Sequence, residues 1–398
     1  MTLALRPYQI EGRDFLAARH TALLADEMRV GKTPQAILAA CAVDARRVLV
    51  VCPAIAVPQW EQELQRWWQF NDMRRSVYGS DSVFTCVMSY NKARVTDFAA
   101  QSDYDVAIID ECHFAKNPQA QRTKAVFGKG GIGWHTERMW CLSGTPATKH
   151  AAELWPMLQA FGVTSYTYPQ FVHRYCDLSW DQKIVGTKQK MIPELKKLLA
   201  TIMLRRTRKQ VAPEMPAIGF EFLAVDPVSR VDLESELETD PSRKEVAVAK
   251  ALPLVEEIAE CIERGDYKQT VVFAWHRDAI AAVRAGLEVR GIRAEVLVGG
   301  MNEPFRTEIQ EQFKRGSIQV LVCQIIAAGT AIDLSAASHG YFLELDWVPG
   351  NNMQAANRLV SMMKDEPVTF DICTWPGSVD DRVQRTLLRR ARELGTMI

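Results

Sequence analysis

Short, unbroken apolar runs recur along the 398-residue chain, and longer stretches with helical apolar spacing separate them. RRVLVVCP (46–53), VFTCVMS (83–89), YDVAIIDE (104–111) and RMWCLSGT (138–145) form a first series. QTVVFAW (269–275), AEVLVG (294–299), IQVLVC (318–323), GYFLEL (340–345) and PVTFDI (367–372) form a second. Strands that are apolar on both faces predict a parallel sheet covered by helices on both sides. Helices are expected at 7–19, 33–42, 57–69, 276–290, 302–315, 350–361 and 379–395. The fold class is α/β, in two lobes of similar design.

Between the two series, roughly 150–265, the pattern changes. Helical pieces, a basic knot MLRRTRKQV (203–211), prolines at 213 and 216 and an acidic run DLESELETD (232–240) interrupt it. The knot and prolines read as a hinge, and the acidic run as a solvated helix. The expected domains are therefore 1–212, with a helical insertion around 150–202, and 213–398.

Composition narrows the class without naming a partner. Lys plus Arg and Asp plus Glu are 48 each, so the overall charge neither supports nor excludes a polyanion. The nine cysteines are scattered with no C-x-x-C pair, which argues against a zinc ribbon or disulfide framework and for a reducing interior. No apolar run is long enough for a bilayer and the first residues do not resemble a signal peptide, so a cytoplasmic protein is expected.

Chemistry enters at LLADEMRVGKT (23–33). An apolar strand, a tight loop and a helix opening at Lys32-Thr33 form the setting of a phosphate loop. Gly31 opens the turn, Lys32 supplies a point charge, and Thr33 offers a hydroxyl to magnesium. Asp26 stands at the first glycine position of the usual motif. In VAIIDECH (106–113), a strand ends in two carboxylates, where ligands of open α/β sheets collect. Asp110 is expected to hold magnesium and Glu111 to polarise an attacking water. CLSGTP (141–146) ends another strand in a hydroxyl-rich turn that can sense Glu111 or His113.

The order of phosphate loop, DECH, SGTP, basic hinge and second lobe resembles helicase superfamily two. LRPYQIEGRDFL (5–16), LLADEMRVGKT, VVCPAIAVPQWEQEL (50–64), MSYNKA (88–93), IIDECHFAKN (108–117), LKKLLATIMLRRTRKQV (195–211) and AAGTAIDLSAASHGYFLELDWVPGNNMQAANR (327–358) are similar to its Swi/Snf branch. The resemblance implies two tandem RecA-like (P-loop) parallel-sheet lobes with a cleft between them. It implies an ATP-dependent motor on double-stranded DNA that uses ATP and Mg2+, compact enough to suggest a bacterial or viral source. Gln9 would grip the adenine, Gly329 and Asp333 would line the nucleotide site, and Gln354 and Arg358 would reach the phosphates from the second lobe. DNA contacts are expected from Trp60, Ser89, Tyr90, Lys92, Arg205, Arg206, Trp347 and Asn351.

The chain departs from this pattern at three places. Arg29 stands where glycine is usual and is expected to keep an ordinary φ with its side chain turned out. Ala331 and Asp333 replace a glycine and an asparagine. Ser361 occupies the place of a second arginine, a loss worth roughly a thousandfold or more in turnover in related phosphoryl transfer; either Arg358 carries the role alone or a residue such as Lys364 substitutes. An ATP-gated DNA clamp with weak hydrolysis and a strand-separating helicase are the alternatives this leaves.

Overall fold

The computed structural model describes residues 4–75, 84–100, 103–225, 240–328, 332–361, 364 and 366–397. Gly329, Ala331 and nearly all of the acidic run 232–240 lie outside them. The chain divides into two compact units, residues 1–212 together with 392–398 and residues 213–391, each with its own sheet. Among the described residues no helix is long and apolar enough to cross a membrane.

The first unit contains β1 (Thr21–Leu24), β2 (Arg47–Cys52), β3 (Phe84–Ser89), β4 (Tyr104–Asp110), β5 (Thr136–Leu142), the strand pair β6 (Cys176–Leu178) and β7 (Ile184–Thr187), and β8 (Met203–Leu204). Its main sheet runs β3-β2-β4-β5-β1-β8, and every pairing is parallel. Val48–Cys52 and Val106–Ile109 are wholly buried, the result of strands apolar on both faces. Parallel strands end at a common edge. That edge gathers the segments that follow β1, β4 and β5: the phosphate loop, DECH and SGTP.

β6 and β7 form an antiparallel hairpin inside the stretch expected to be helical. β8 occupies part of the expected hinge. It extends the sheet beside the phosphate loop, with Leu23, Ala25 and Glu27 amides donating to the carbonyls of Ile202, Leu204 and Arg206 at 2.8, 2.7 and 3.0 Å.

The second unit contains β9 (Ile218–Ala224), β10 (Thr270–Ala274), β11 (Ala294–Leu297), β12 (Val320–Gln324), β13 (His339–Phe342) and β14 (Val368–Thr374). Its order is β11-β12-β10-β13-β14-β9, again parallel throughout. Helices Asp240–Arg264 and Arg277–Val289 pack on one face through Leu254, Val255, Ile258, Ile280, Val283 and Leu287.

Candidate active site

The phosphate loop is shaped by two left-handed residues. Gly31 lies at φ 76° and caps helix Lys32–Ala42, and a Cβ there would stand 2.4 Å from the Gln9 amide nitrogen. Arg29 also adopts positive φ, at 68°. The expectation that it keeps an ordinary backbone is therefore corrected: the loop retains the glycine-type turn, with arginine carrying a strain of about 1–2 kcal/mol. Lys32 Nζ donates to the carbonyls of Asp26 and Glu27 at 2.9 and 3.1 Å, which seats its ammonium in the curve of the loop. Thr33 follows at the first turn and is half-buried.

Gln9 is buried, and both ends of its amide are engaged. Its Nε2 donates to Val30 O at 3.1 Å, and its Oε1 accepts from the Arg6 amide at 2.9 Å. Tyr8 Oη donates to the same Val30 carbonyl at 3.1 Å. Here Gln9 braces the phosphate loop.

Under the loop lies a buried ion pair. Arg206 grips Asp26 with two bonds, Nε to Oδ1 at 3.0 Å and Nη2 to Oδ2 at 2.6 Å. The same guanidinium donates to Tyr8 O at 2.5 Å, Glu11 Oε2 at 3.2 Å and Gln35 Oε1 at 3.1 Å. Asp26 is 0% exposed and Arg206 9%. A Cβ on Gly12 would collide with Gln35 and Arg206, so this glycine makes room for the network. Arg205 is spent on the carbonyls of Ala25 and Gly144, both at 3.2 Å. The sequence reading assigned Arg205 and Arg206 to DNA. The structure corrects this, since their cations are sunk in the sheet edge and hold the phosphate loop to β8.

The carboxylates at the end of β4 have unlike surroundings. Asp110 Oδ2 accepts from Trp60 Nε1 at 2.8 Å and Oδ1 from the Glu111 amide at 3.0 Å. Burial, then the charge of Glu111, raises the Asp110 carboxyl above its usual range. Burial would also raise Glu111, but the His113 bond and charge, the Lys32 charge and the Ser143 bond prevail, so it titrates below its ordinary value. Lys32 thus acts on both carboxylates. Glu111 sits at φ 47°, a left-handed turn that carries its side chain out of the strand direction. Its Oε2 accepts from Ser143 Oγ at 3.1 Å and lies 3.2 Å from His113 Nδ1. His113 Nδ1 is also 3.1 Å from Ser143 Oγ. Since the serine hydrogen goes to Glu111, the network assigns a proton to Nδ1. DECH and SGTP are one hydrogen-bonded unit.

Trp60 is 2% exposed and Tyr90 4%. Tyr90 Oη donates to Asp110 O at 2.7 Å. Both were expected to face DNA; instead they support the acidic strand end, a correction imposed by burial. Ser89 Oγ caps a short helix by accepting from the Lys92 amide at 3.2 Å, and the Lys92 side chain remains exposed.

In the second unit, Asp333 Oδ1 accepts from the Ser335 amide at 3.2 Å and Oδ2 pairs with Lys314 at 3.4 Å. Gln354 is half-buried on helix Pro349–Ala356, and Arg358 follows in the next turn. Lys364 Nζ donates to the carbonyls of Ser335 and Ala337 at 3.1 and 2.5 Å. It is therefore no substitute for an arginine at Ser361. Asn351 Nδ2 donates to Asp346 Oδ2 at 2.5 Å, and Trp347 is half-buried under the Arg243 guanidinium at 5.4 Å. Sequence reasoning missed a buried carboxylate here. Glu344 accepts from the amides of Trp275 and His276, both at 2.9 Å, and meets His276 Nδ1 at 2.7 Å.

A profile of the Helicase conserved C-terminal domain matches residues 253–362. The SWI/SNF-related matrix-associated actin-dependent regulator of chromatin subfamily A-like protein 1 of Xenopus tropicalis is 28% identical over 98% of this chain, which covers 44% of that protein. The DNA annealing helicase and endonuclease ZRANB3 of Homo sapiens is 24% identical over 99% of this chain and 40% of its own length. The chain thus spans less than half the length of either relative. A solved Sulfolobus solfataricus SWI2/SNF2 ATPase core in complex with dsDNA is 20% identical, with a TM-score of 0.48 over 100% of this chain and 93% of its own. A profile of the SNF2-related domain matches residues 8–229, and the chain belongs to that family.

Proposed function

We propose that this chain is a DNA-dependent ATPase of helicase superfamily two, a motor that moves along double-stranded DNA. The observation that carries the reading is the bonding of Glu111 to Ser143 and His113 at the sheet edge that also holds the Lys32 loop. Lys32, placed at the loop carbonyls, is a point charge for a phosphate, and the amides that open helix Lys32–Ala42 add donors. An ionised Glu111 is purely an acceptor, so it can orient a water for attack on a phosphoryl group. Ser143 and His113 fix the direction in which that carboxylate points.

The donor set also suits magnesium. Thr33 offers a hydroxyl, and each Asp110 oxygen keeps a free lone-pair direction beyond its single bond. These two residues would hold the ion, which when bound neutralises charge on the phosphates. Gln354 and Arg358 are proposed to engage the nucleotide, with Asp333 and Gly329 contributing to its binding. Lys92 remains the strongest first-unit candidate for the DNA backbone, because it is exposed. The relatives named as regulators of chromatin and as a DNA annealing helicase support the choice of DNA. All nine cysteines are free, in keeping with a reducing, cytoplasmic setting.

A second reading, an ATP-gated clamp with little turnover, is favoured by the engagement of Lys364 with carbonyls and by Ser361. A phosphate-release titration with duplex DNA, single-stranded DNA and RNA tests both. The motor reading requires turnover stimulated most by duplex and abolished in Lys32→Ala and Glu111→Gln. Tight ATP binding with near-zero turnover on every nucleic acid selects the clamp, and a stronger response to RNA overturns the choice of substrate.

A further inference from the structure

The β6–β7 hairpin is used by nothing described so far, and Trp180 stands at its tip. Trp180 is 94% exposed, the most exposed large apolar side chain described in the molecule. A single exposed apolar residue needs no explanation by itself. Three further observations set this one apart.

The first is stiffness. Ser179 ties the tip together: its Oγ donates to Asp181 Oδ1 at 2.5 Å and accepts from the Lys183 amide at 3.1 Å. Its own amide donates to Lys183 O at 2.9 Å, and Asp181 pairs with Lys183 at 2.7 Å. Gln182 accepts a left-handed φ of 61° to complete the turn. Below the tip the hairpin is rooted in core through Phe171, Tyr175 and Cys176, all 0% exposed. The backbone that carries the indole is thus already ordered, so binding there costs only the indole's own torsional freedom.

The second is place. Thr187, at the end of β7, accepts from the Ala151 amide at 2.9 Å. Ala151 lies eight residues beyond Ser143, the residue bonded to Glu111. Between them Thr148 bonds Glu153, which pairs with Lys116 at 3.0 Å just past DECH. The hairpin is thus attached to the segment leaving the hydrolytic loop. The other exposed tryptophan, Trp134 at 65%, lies instead just before β5, at the opposite edge of the sheet.

The third is charge. Residues 171–200 carry six lysines or arginines against three carboxylates, in a chain that is neutral overall. Two of those carboxylates are already paired, Asp181 with Lys183 at 2.7 Å and Glu194 with Arg174 at 2.6 Å. Lys190, Lys196 and Lys197, at and beyond the hairpin base, make no ion pair among the described residues, and Lys196 and Lys197 are exposed. An exposed aromatic at the tip of an arm, with exposed lysines beyond the base of that arm, suits a polyanion that also offers flat π faces. Single-stranded nucleic acid is that ligand: cations follow its backbone while bases stack on aromatics. In an intact duplex the base faces are already stacked on one another.

We infer that Trp180 is a stacking site for an unpaired nucleobase at the end or fork of a DNA duplex. The site rests on the reading of the chain as a DNA motor and extends it, from a motor on uniform duplex to one that senses where strands part. Its attachment at Ala151, in the segment that follows SGTP, links base occupancy to the loop that orients Glu111.

The test uses the full chain and three DNAs of matched length: a blunt duplex, a fork with short unpaired arms, and a single strand. 2-Aminopurine sits at the first unpaired position of the fork. Wild-type protein should quench the probe and bind the fork more tightly than blunt duplex. Trp180→Ala should abolish the quenching and weaken fork binding roughly 5- to 150-fold, the range for loss of one base–aromatic stack. Affinity for blunt duplex and the melting temperature should stay unchanged, and Trp180→Phe should retain most fork binding. Equal fork affinity in wild type and Trp180→Ala, or equal loss on fork and blunt duplex, overturns the inference while leaving the motor intact. A protein partner that binds wild type but not Trp180→Ala, with DNA binding unaltered, overturns it in favour of protein docking. Failure of wild-type protein to bind or respond to any of the three DNAs overturns the motor reading instead.

Discussion

Replacing Arg206 by Met tests the buried support of the phosphate loop directly. Methionine keeps most of the stem volume and removes the guanidinium, leaving Asp26 at 0% exposure without its two bonds of 3.0 and 2.6 Å. Breaking a buried pair by removing one partner costs about 3–5 kcal/mol, because the remaining charge stays desolvated. For a unit of this size each kcal/mol lowers the melting temperature by roughly 2–4 °C, so a fall of roughly 6–20 °C is expected in the transition of the first unit. Calorimetry resolves that transition, and a cycle with Asp26→Leu isolates the pair. The double variant Asp26→Leu, Arg206→Met should be more stable than the sum of the single losses, since the uncompensated carboxylate is gone. Recovery stays partial because Tyr8 O and Gln35 also lose a donor. A single variant within about 2 °C of wild type, or strict additivity in the cycle, would refute the view that this pair holds the loop.

Arg29→Gly should stabilise the chain by roughly 0.5–1 kcal/mol, the relief of a left-handed arginine less the added freedom of unfolded glycine, as read by urea denaturation; lower stability would mean that the arginine side chain contributes more than its backbone costs. Trp60→Phe keeps one aromatic ring and removes the indole N–H that donates to Asp110. The magnesium concentration for half-maximal ATPase should rise about 10- to 100-fold, with turnover at saturating magnesium largely kept, and an unchanged magnesium curve would contradict this. At Glu344, burial opposes ionisation, but bonds from the His276 ring and from the amides of His276 and Trp275 outweigh it and hold the carboxyl below its usual range. A depressed folded pKa gives stability that is present above about pH 4.3 and lost as pH falls through the folded value. Glu344→Gln should therefore weaken the second unit at neutral pH and flatten its acid limb, and identical pH–stability curves would count against the assignment.

The two sheets were legible because their central strands, such as Val48–Cys52 and Val106–Ile109, are apolar on both faces and stand out in any window. β8 and β9 lacked that signal. β8 is two residues beside a basic knot, and β9 is an edge strand with Phe220 and Phe222 exposed. The β6–β7 hairpin was hidden by a register shift near Asp177 and by a tip that reads as any polar loop. Within the site, DECH and SGTP could be named from their order, but the Glu111–His113–Ser143 bonds join segments about thirty residues apart, which only the parallel pairing of β4 and β5 makes neighbours. Trp60, Tyr90 and Arg206 were assigned outward because a sequence does not mark which aromatics and cations a sheet edge will swallow.

β8 has a consequence for the order in which the molecule is made. The phosphate loop closes on Arg206, a residue 180 positions downstream of Asp26. At ribosomal speeds of about 5–20 residues per second, Asp26 waits roughly 9–36 s for its cation. Until then the nascent first unit carries its Lys32 loop without β8, so on the proposed reading a nucleotide meets the braced loop only after that last strand has docked.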